Sequence, residues 1–220
     1  MFVGHYAASF FIKQRAPSIP LWVLLLAVQL IDVIWGILVL IGVEKVRLVP
    51  GITAASPLDL YYVPYTHSLT AVIGWSLLAF WVYFQLRGRR LGGWHAAALV
   101  GLAVFSHWVL DLLVHRPDLP LYDNSHKVGL GLWNYPAVSF PLEILLLAAA
   151  MWGWYRASGR VQLRKLIILW TIMVMSQIFT NFGPLPPSPA AFALMALAFY
   201  LAYTVAGRWC ETSPTAIEHP

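Results

Sequence analysis

The chain has 220 residues, 60% of them hydrophobic and only 10% charged. A soluble domain carries roughly 25% charged and 45–50% apolar residues, so a water-soluble globule is excluded and a bilayer has to be the solvent for most of the chain. The single cysteine, Cys210, excludes an internal disulfide and a thiolate metal cluster. The formal charge of +5 sits in short basic clusters between apolar runs, a pattern that follows membrane topology and argues against a nucleic-acid partner.

Residues 1–12 are apolar but carry no basic leader region, so no cleavable signal peptide is expected. The segment is too short to cross ~30 Å of hydrocarbon and reads as a short helix lodged in the bundle. Six full spans are expected after it: 21–43, interrupted by Gln29 and Asp32; 65–86; 91–115; 139–155; 163–182; and 190–206. Each is bounded by Pro, Gly or charge. The fold class is therefore an all-α polytopic bundle of about six transmembrane helices plus the short N-terminal helix. It forms one domain over 1–220, in which 1–155 carries the ionisable residues and 163–207 is a C-terminal helical hairpin.

One side of the membrane receives Lys13, Arg15, Arg87, Arg89, Arg90, Arg156, Arg160, Arg164, Lys165 and Arg208; the other receives Lys45, Arg47, Arg116 and Lys127. The basic excess places the first side, and with it the C-terminus, in the cytoplasm. The loops 44–64 and 116–135 then face outward. Trp94, Trp133, Trp152, Trp154 and Trp209 fall near expected span ends, where an aromatic belt forms.

Ionisable groups inside a bilayer are costly, rare and functional by default. Here they are His5, Asp32, His67, His95, His107, Asp111, His115 and Glu143. His107, Asp111 and His115 recur every fourth residue and share one helix face. An imidazole and a carboxylate so spaced can chelate a divalent ion, and zinc accepts both donors. The same spacing also serves a His–Asp pair that merely ties helices together.

His67 lies in Pro64-Tyr65-Thr66-His67-Ser68, a capped helix start whose free N–H groups favour an anion. Glu143 follows Ser139-Phe140-Pro141, which reads as a second helix start, and a first-turn acid there suits the helix dipole equally well. Asp59, in Ser56-Pro57-Leu58-Asp59, reads as the start of a short loop helix. Asp118, Asp123 and His126 read as solvated turn residues. His95 reads as structural, and His219 belongs to a polar tail. Arg116, next to His115, is placed to meet an anionic substrate or to anchor the interface.

Gly4-His5, an acid in the first long span, Thr66-His67-Ser68, and Ser106-His107-x-x-x-Asp111 form an ordered set. Over roughly the first 125 residues this set resembles the bacterial inner-membrane proteins known as membrane-bound metal-dependent hydrolases, the YdjM-like family. The H-x-x-x-D element is also similar to half of the His/Asp site in zinc-dependent phospholipase C proteins. The chain departs from the family pattern in two places. The family's Pro-Asp-x-Asp is here Ile31-Asp32-Val33, and its His-Arg-Gly before the Thr-His-Ser element is Tyr62-Val63-Pro64.

The resemblance implies an inner-membrane enzyme holding one or two divalent ions, zinc above all. The ligands would be His5, Asp32, His67, His107 and Asp111, with Glu143 and His115 as catalytic groups and Ser68 and Arg116 as substrate-binding ones. The expected partners are membrane lipids, including a lipid-linked phosphoester that reaches the site from the outer leaflet. An ion or metal transporter using the same cluster, and a non-catalytic scaffold, are the other classes open to this sequence.

Overall fold

A computed structural model describes residues 1–88, 93–159 and 161–211. Arg89, Arg90, Arg160 and His219, and the expected start of the third span at residue 91, lie outside the described residues. The elements, in order, are α1 (His5–Arg15), α2 (Leu21–Val28), α3 (Leu30–Leu40), β1 (Lys45–Leu48), β2 (Leu58–Tyr62), α4 (Leu69–Tyr83, running into a π-helical turn at Phe84–Gly88), α5 (Gly93–Val114), α6 (Pro136–Ser158), α7 (Leu163–Phe182) and α8 (Pro189–Glu211). The last five helices are each long and apolar enough to cross a membrane, and α2 with α3 makes a sixth span bent by 53°. Large apolar side chains such as Leu77, Trp81, Leu145, Ile172 and Val205 face outward. Such a surface is stable only against lipid.

The expected single span over 21–43 is two helices, α2 and α3, broken at Gln29. In an unbroken helix the Val28 carbonyl would accept the amide of residue 32. Here it accepts Nδ1–H of His107 at 2.7 Å. Irregular backbone at membrane depth is tolerated where neighbouring protein satisfies it, and an imidazole from α5 does so here.

Three further expectations change. Leu58–Tyr62 is a strand, not a helix start. Its apolar and aromatic side chains suit a half-buried hairpin, paired antiparallel with β1. Helix α6 begins at Pro136, a residue that fits the first helical position because its missing N–H is an orphan there. Pro141 is therefore inside the helix and Glu143 lies about two turns in, beyond the range of a first-turn dipole effect. Nor do α7 and α8 form a packed hairpin: α8 lies chiefly against α2 and α3, and touches α7 only lightly.

Helix α5 is the central helix, half of its span buried in protein. Gly101 lets α4 come close, since a Cβ there would stand 2.9 Å from the Ser76 carbonyl oxygen. Helix α1 does not span. It is wedged among α2, α5 and α6, with His5, Tyr6, Ala7 and Phe10 buried. At one end of the bundle the hairpin and the loop after α5 close into a cap. Arg116 bonds Asp59 at 2.5 Å, and Lys127 donates to the Leu60 and Tyr61 carbonyls.

At the other end, buried Lys13 pairs with Glu211 at 2.5 Å and donates to the Pro17 and Ile19 carbonyls. The second Glu211 oxygen accepts the Leu21 amide at the start of α2. One ion pair thus ties α1, α2 and α8. Removing one partner of a buried pair is far more damaging than removing both. Lys13→Met should therefore cost about 3 kcal/mol, read as a lower Tm in detergent, and the double variant Lys13→Met/Glu211→Met should recover much of the loss.

Candidate metal centre

Four segments deliver five side chains to one place near the cap. Helix α3 brings Asp32 in its first turn, the turn before α4 brings His67, α5 brings His107 and Asp111, and α1 brings His5. All five residues are buried. His67 Nε2 lies 3.4 Å from Asp32 Oδ1 and 3.9 Å from Asp111 Oδ2. His107 Nε2 lies 3.4 Å from Asp32 Oδ1 and 3.2 Å from Asp111 Oδ2. Ligand atoms of a tetrahedral ion with bonds of ~2.0–2.1 Å stand ~3.3–3.4 Å apart. Asp32 Oδ1 and the Nε2 atoms of His67 and His107 lie close enough together to share one ion, and Asp111 Oδ2 stands beside both imidazoles.

The outer hydrogen bonds decide which nitrogen faces inward. His107 Nδ1 must donate to the Val28 carbonyl, because a carbonyl only accepts. The Thr66 hydroxyl donates to Glu44 Oε2 at 2.6 Å, so it accepts from His67 Nδ1 at 2.8 Å. Tyr200 on α8 donates to Asp32 Oδ2 at 2.8 Å, which leaves Oδ1 for the centre.

Both imidazoles therefore point an Nε2 lone pair at carboxylate oxygens, and His107 Nε2 is buried without a hydrogen-bond partner. Lone pairs and carboxylates converging in a dry space repel one another unless a cation lies between them. Metal-binding histidines are held in this way through the other ring nitrogen. Glu44 itself is outside the spans. Burial pushes its carboxyl above the ordinary range, while His67 and the Thr66 and Tyr65 hydrogen bonds pull it back.

Two ligand groupings are possible, His5–His107–Asp111 and Asp32–His67–His107. They share His107, whose Nδ1 is taken by the Val28 carbonyl, so its remaining Nε2 can serve only one of the two groupings at a time. His5 and His115 serve the other Asp111 oxygen. His5 Nε2 is 3.0 Å and His115 Nε2 3.6 Å from Oδ1, and the terminal ammonium of Met1 also bonds Oδ1. The His5 ring stacks on His107 at 3.8 Å.

His115 Nδ1 donates to Asp118 Oδ1 at 3.0 Å. Asp118, expected to be solvated, is buried, whereas Asp123 and His126 are turn residues at φ 48° and 52°. Glu143 Oε2 accepts the amides of Phe2 and Gly4 at 2.8 and 3.1 Å, and Gln177 accepts that of Val3. The two side chains thus hold the strand that feeds His5 into the cluster.

A cavity of ≈ 80 Å³ lies at this centre. Its lining includes Asp32, His67, Asp111, His115 and Glu143 together with the apolar Trp35, Leu60, Phe192, Met195 and Phe199. Trp133, expected in the interface belt, lies instead on the His115 ring at 4.3 Å and lines the cavity, and Trp154 is buried in the core. Ala55, Ser56, Pro57, Thr180, Asn181, Phe192 and Met195 also line a neighbouring cavity.

Ser68 and Arg116 are not in the lining. Ser68 caps α4, donating to the Pro64 carbonyl and accepting the Ala71 amide. Arg116 is paired with Asp59 and Asp118.

Glu44, Thr66, Asp118 and Tyr200 were not singled out as site residues in the sequence. Thr66 had a local signal, its place next to His67, whereas Glu44 and Tyr200 arrive from distant segments. No family model, no curated protein and no solved structure matches the chain.

Loss of an outer-shell partner typically costs ~10–100-fold in metal affinity. Thr66→Val, which cuts the link from Glu44 to His67, is expected to weaken zinc binding by that factor in a chelator-competition titration, with the helical content unchanged.

Proposed function

We propose that this chain is an integral-membrane, metal-dependent hydrolase, in line with the family its motifs resemble. The observation that carries the reading is the convergence of buried imidazole nitrogens and carboxylate oxygens, in groups close enough to share an ion, on the lining of a cavity. His67, His107, Asp32 and Asp111 would hold one divalent ion. The N₂O₂ donor set and buried, compact geometry favour zinc. Such an ion, when bound, supplies Lewis acidity toward a water and toward the substrate oxygen.

The remaining groups have separate tasks. His115 faces the cavity with Nδ1–H on Asp118, so its Nε2 is free to take a proton. The resulting imidazolium would lie between the carboxylates of Asp118 and Asp111, which stabilise it. Glu143 and Gln177 position the N-terminal strand, and Tyr200 fixes the orientation of Asp32. The apolar part of the cavity lining suits the chain of a substrate that arrives from the lipid.

A transporter would need a polar route to the far end of the bundle. Val3, Phe10, Leu24, Leu25, Val28, Val100 and Val104, all buried and apolar, fill the core instead, and the Lys13–Glu211 pair lies at the far end. This favours a one-sided site.

Elemental analysis of purified protein should find about one zinc per chain, and the metal should be lost in both His107→Ala and Asp111→Ala. His115→Ala should retain the metal and lose turnover by ~10²–10⁴-fold. Absence of metal from wild-type protein supplied with zinc would overturn the proposal.

A further inference from the structure

The inference concerns the scissile group, and it rests on the hydrolase reading above. We propose that the site takes an uncharged acyl carbonyl, the ester or amide of a lipid, and not a phosphoester. What carries it is the charge of the cavity. Three carboxylates line it (Asp32, Asp111 and Glu143), and among the described residues no Lys or Arg does. One divalent ion neutralises the two carboxylates that would hold it. A phosphate group would then enter a dry space with no remaining positive charge to meet it, which is costly.

Among the described residues at this end of the bundle, the cationic groups that could receive an anion already have partners. Arg116 is held by Asp59 and Asp118. Lys127 is spent on two carbonyls of β2. Lys45 and Arg47 lie over the rings of Tyr62 and Tyr61, on the outside of the hairpin. The terminal ammonium of Met1 is on Asp111 Oδ1.

The helix start at Ser68, which the sequence offers as an anion site, has used its donors. The Leu69 and Thr70 amides go to the Pro120 and Leu121 carbonyls, and the Ala71 amide to Ser68 Oγ. Phosphoryl transfer depends on several cations or metal ions around the transferred group, and this cavity provides one.

A carbonyl substrate needs less: one Lewis acid and neutral polar groups. In the cavity lining Tyr200, Thr180 and Gln177 donate to Asp32, the Gln177 carbonyl and Asn181, which leaves the Asn181 Nδ2 for a neutral carbonyl. In the reaction the oxygen of a water bonds to the carbonyl carbon, and His115 Nε2 takes one of its protons. The carbon–oxygen or carbon–nitrogen bond breaks with its electron pair on the leaving atom. His115 returns the proton to that atom, giving a carboxylic acid and an alcohol or amine. Phe192, Met195 and Phe199 would lie along the acyl chain.

The test uses zinc-loaded protein in alkyl-glycoside micelles, which contribute neither ester nor phosphate. Three probes share one chain length: a neutral diacylglycerol, a neutral N-acyl amide, and an ether-linked phosphodiester lipid that has no acyl carbonyl. Mass spectrometry reads the released fatty acid and the released phospho-product.

Fatty acid should appear from the ester or the amide at least about tenfold faster than any phospho-product. A long-chain ketone should also raise the Tm more than a long-chain alkyl phosphate does. Release of a phospho-product with no fatty acid, or a larger Tm rise with the phosphate, would sink this inference while leaving the hydrolase reading in place. If metal is bound and no probe is cleaved, the hydrolase reading fails and this inference fails with it.

Discussion

The carboxylate of Asp111 is the group around which the rest is arranged. Its Oδ1 faces His5, His115 and the Met1 ammonium, and its Oδ2 faces the Nε2 atoms of His107 and His67, which leave that oxygen to the cation proposed between them. A buried carboxylate in hydrocarbon is tolerable only if both oxygens are matched by positive charge or donors. Meeting that condition draws α1 into the bundle, holds the turn before α4 against α5, and fixes the loop after α5 through Asp118. The packing of much of the cap end follows from one pair of oxygens.

The break in the first span belongs to the same arrangement. Straightening α2 and α3 at Gln29 would take the Val28 carbonyl away from His107 and leave the tautomer of that ring unspecified. It would also turn Asp32 away from its place in the first turn of α3, where Tyr200 reaches it from α8. The bend is therefore stabilised by contacts from α5 and α8, and it makes two inward-facing ligand atoms available at once. Residues 163–207 read from the sequence as a C-terminal hairpin apart from the ionisable residues; through Tyr200 on Asp32 and through Phe192, Met195 and Phe199, α8 contributes directly to the cluster and to the cavity lining.

Burial and charge divide the molecule by function. The end that carries the centre is capped by a short hairpin whose cations are neutralised or turned outward. The opposite end is closed by the Lys13–Glu211 pair. Between them lies an apolar core in which helices pack by close contact and small residues such as Gly101, as expected where lipid removes the hydrophobic incentive to associate.

Composition alone determined that this chain needs a bilayer, because so few charges cannot keep this much apolar surface in water. Breakers placed the long helices, and α7 is found at the residues expected of it. The four-residue spacing of His107, Asp111 and His115 put them on one face, because helix geometry is local. The rarity of intramembrane charge singled out Asp32, His67 and Glu143.

Pairings between distant segments were beyond the sequence. Nothing near Glu44 in the chain indicates that it steadies His67, and nothing near Tyr200 that it meets Asp32. Nor could composition show that Arg116 is consumed by Asp59, or that the α4 start spends its donors on the loop at 120–121. Hydrogen bonds and ion pairs between residues tens to more than a hundred positions apart depend on which helices pack together, and only the tertiary structure decides that.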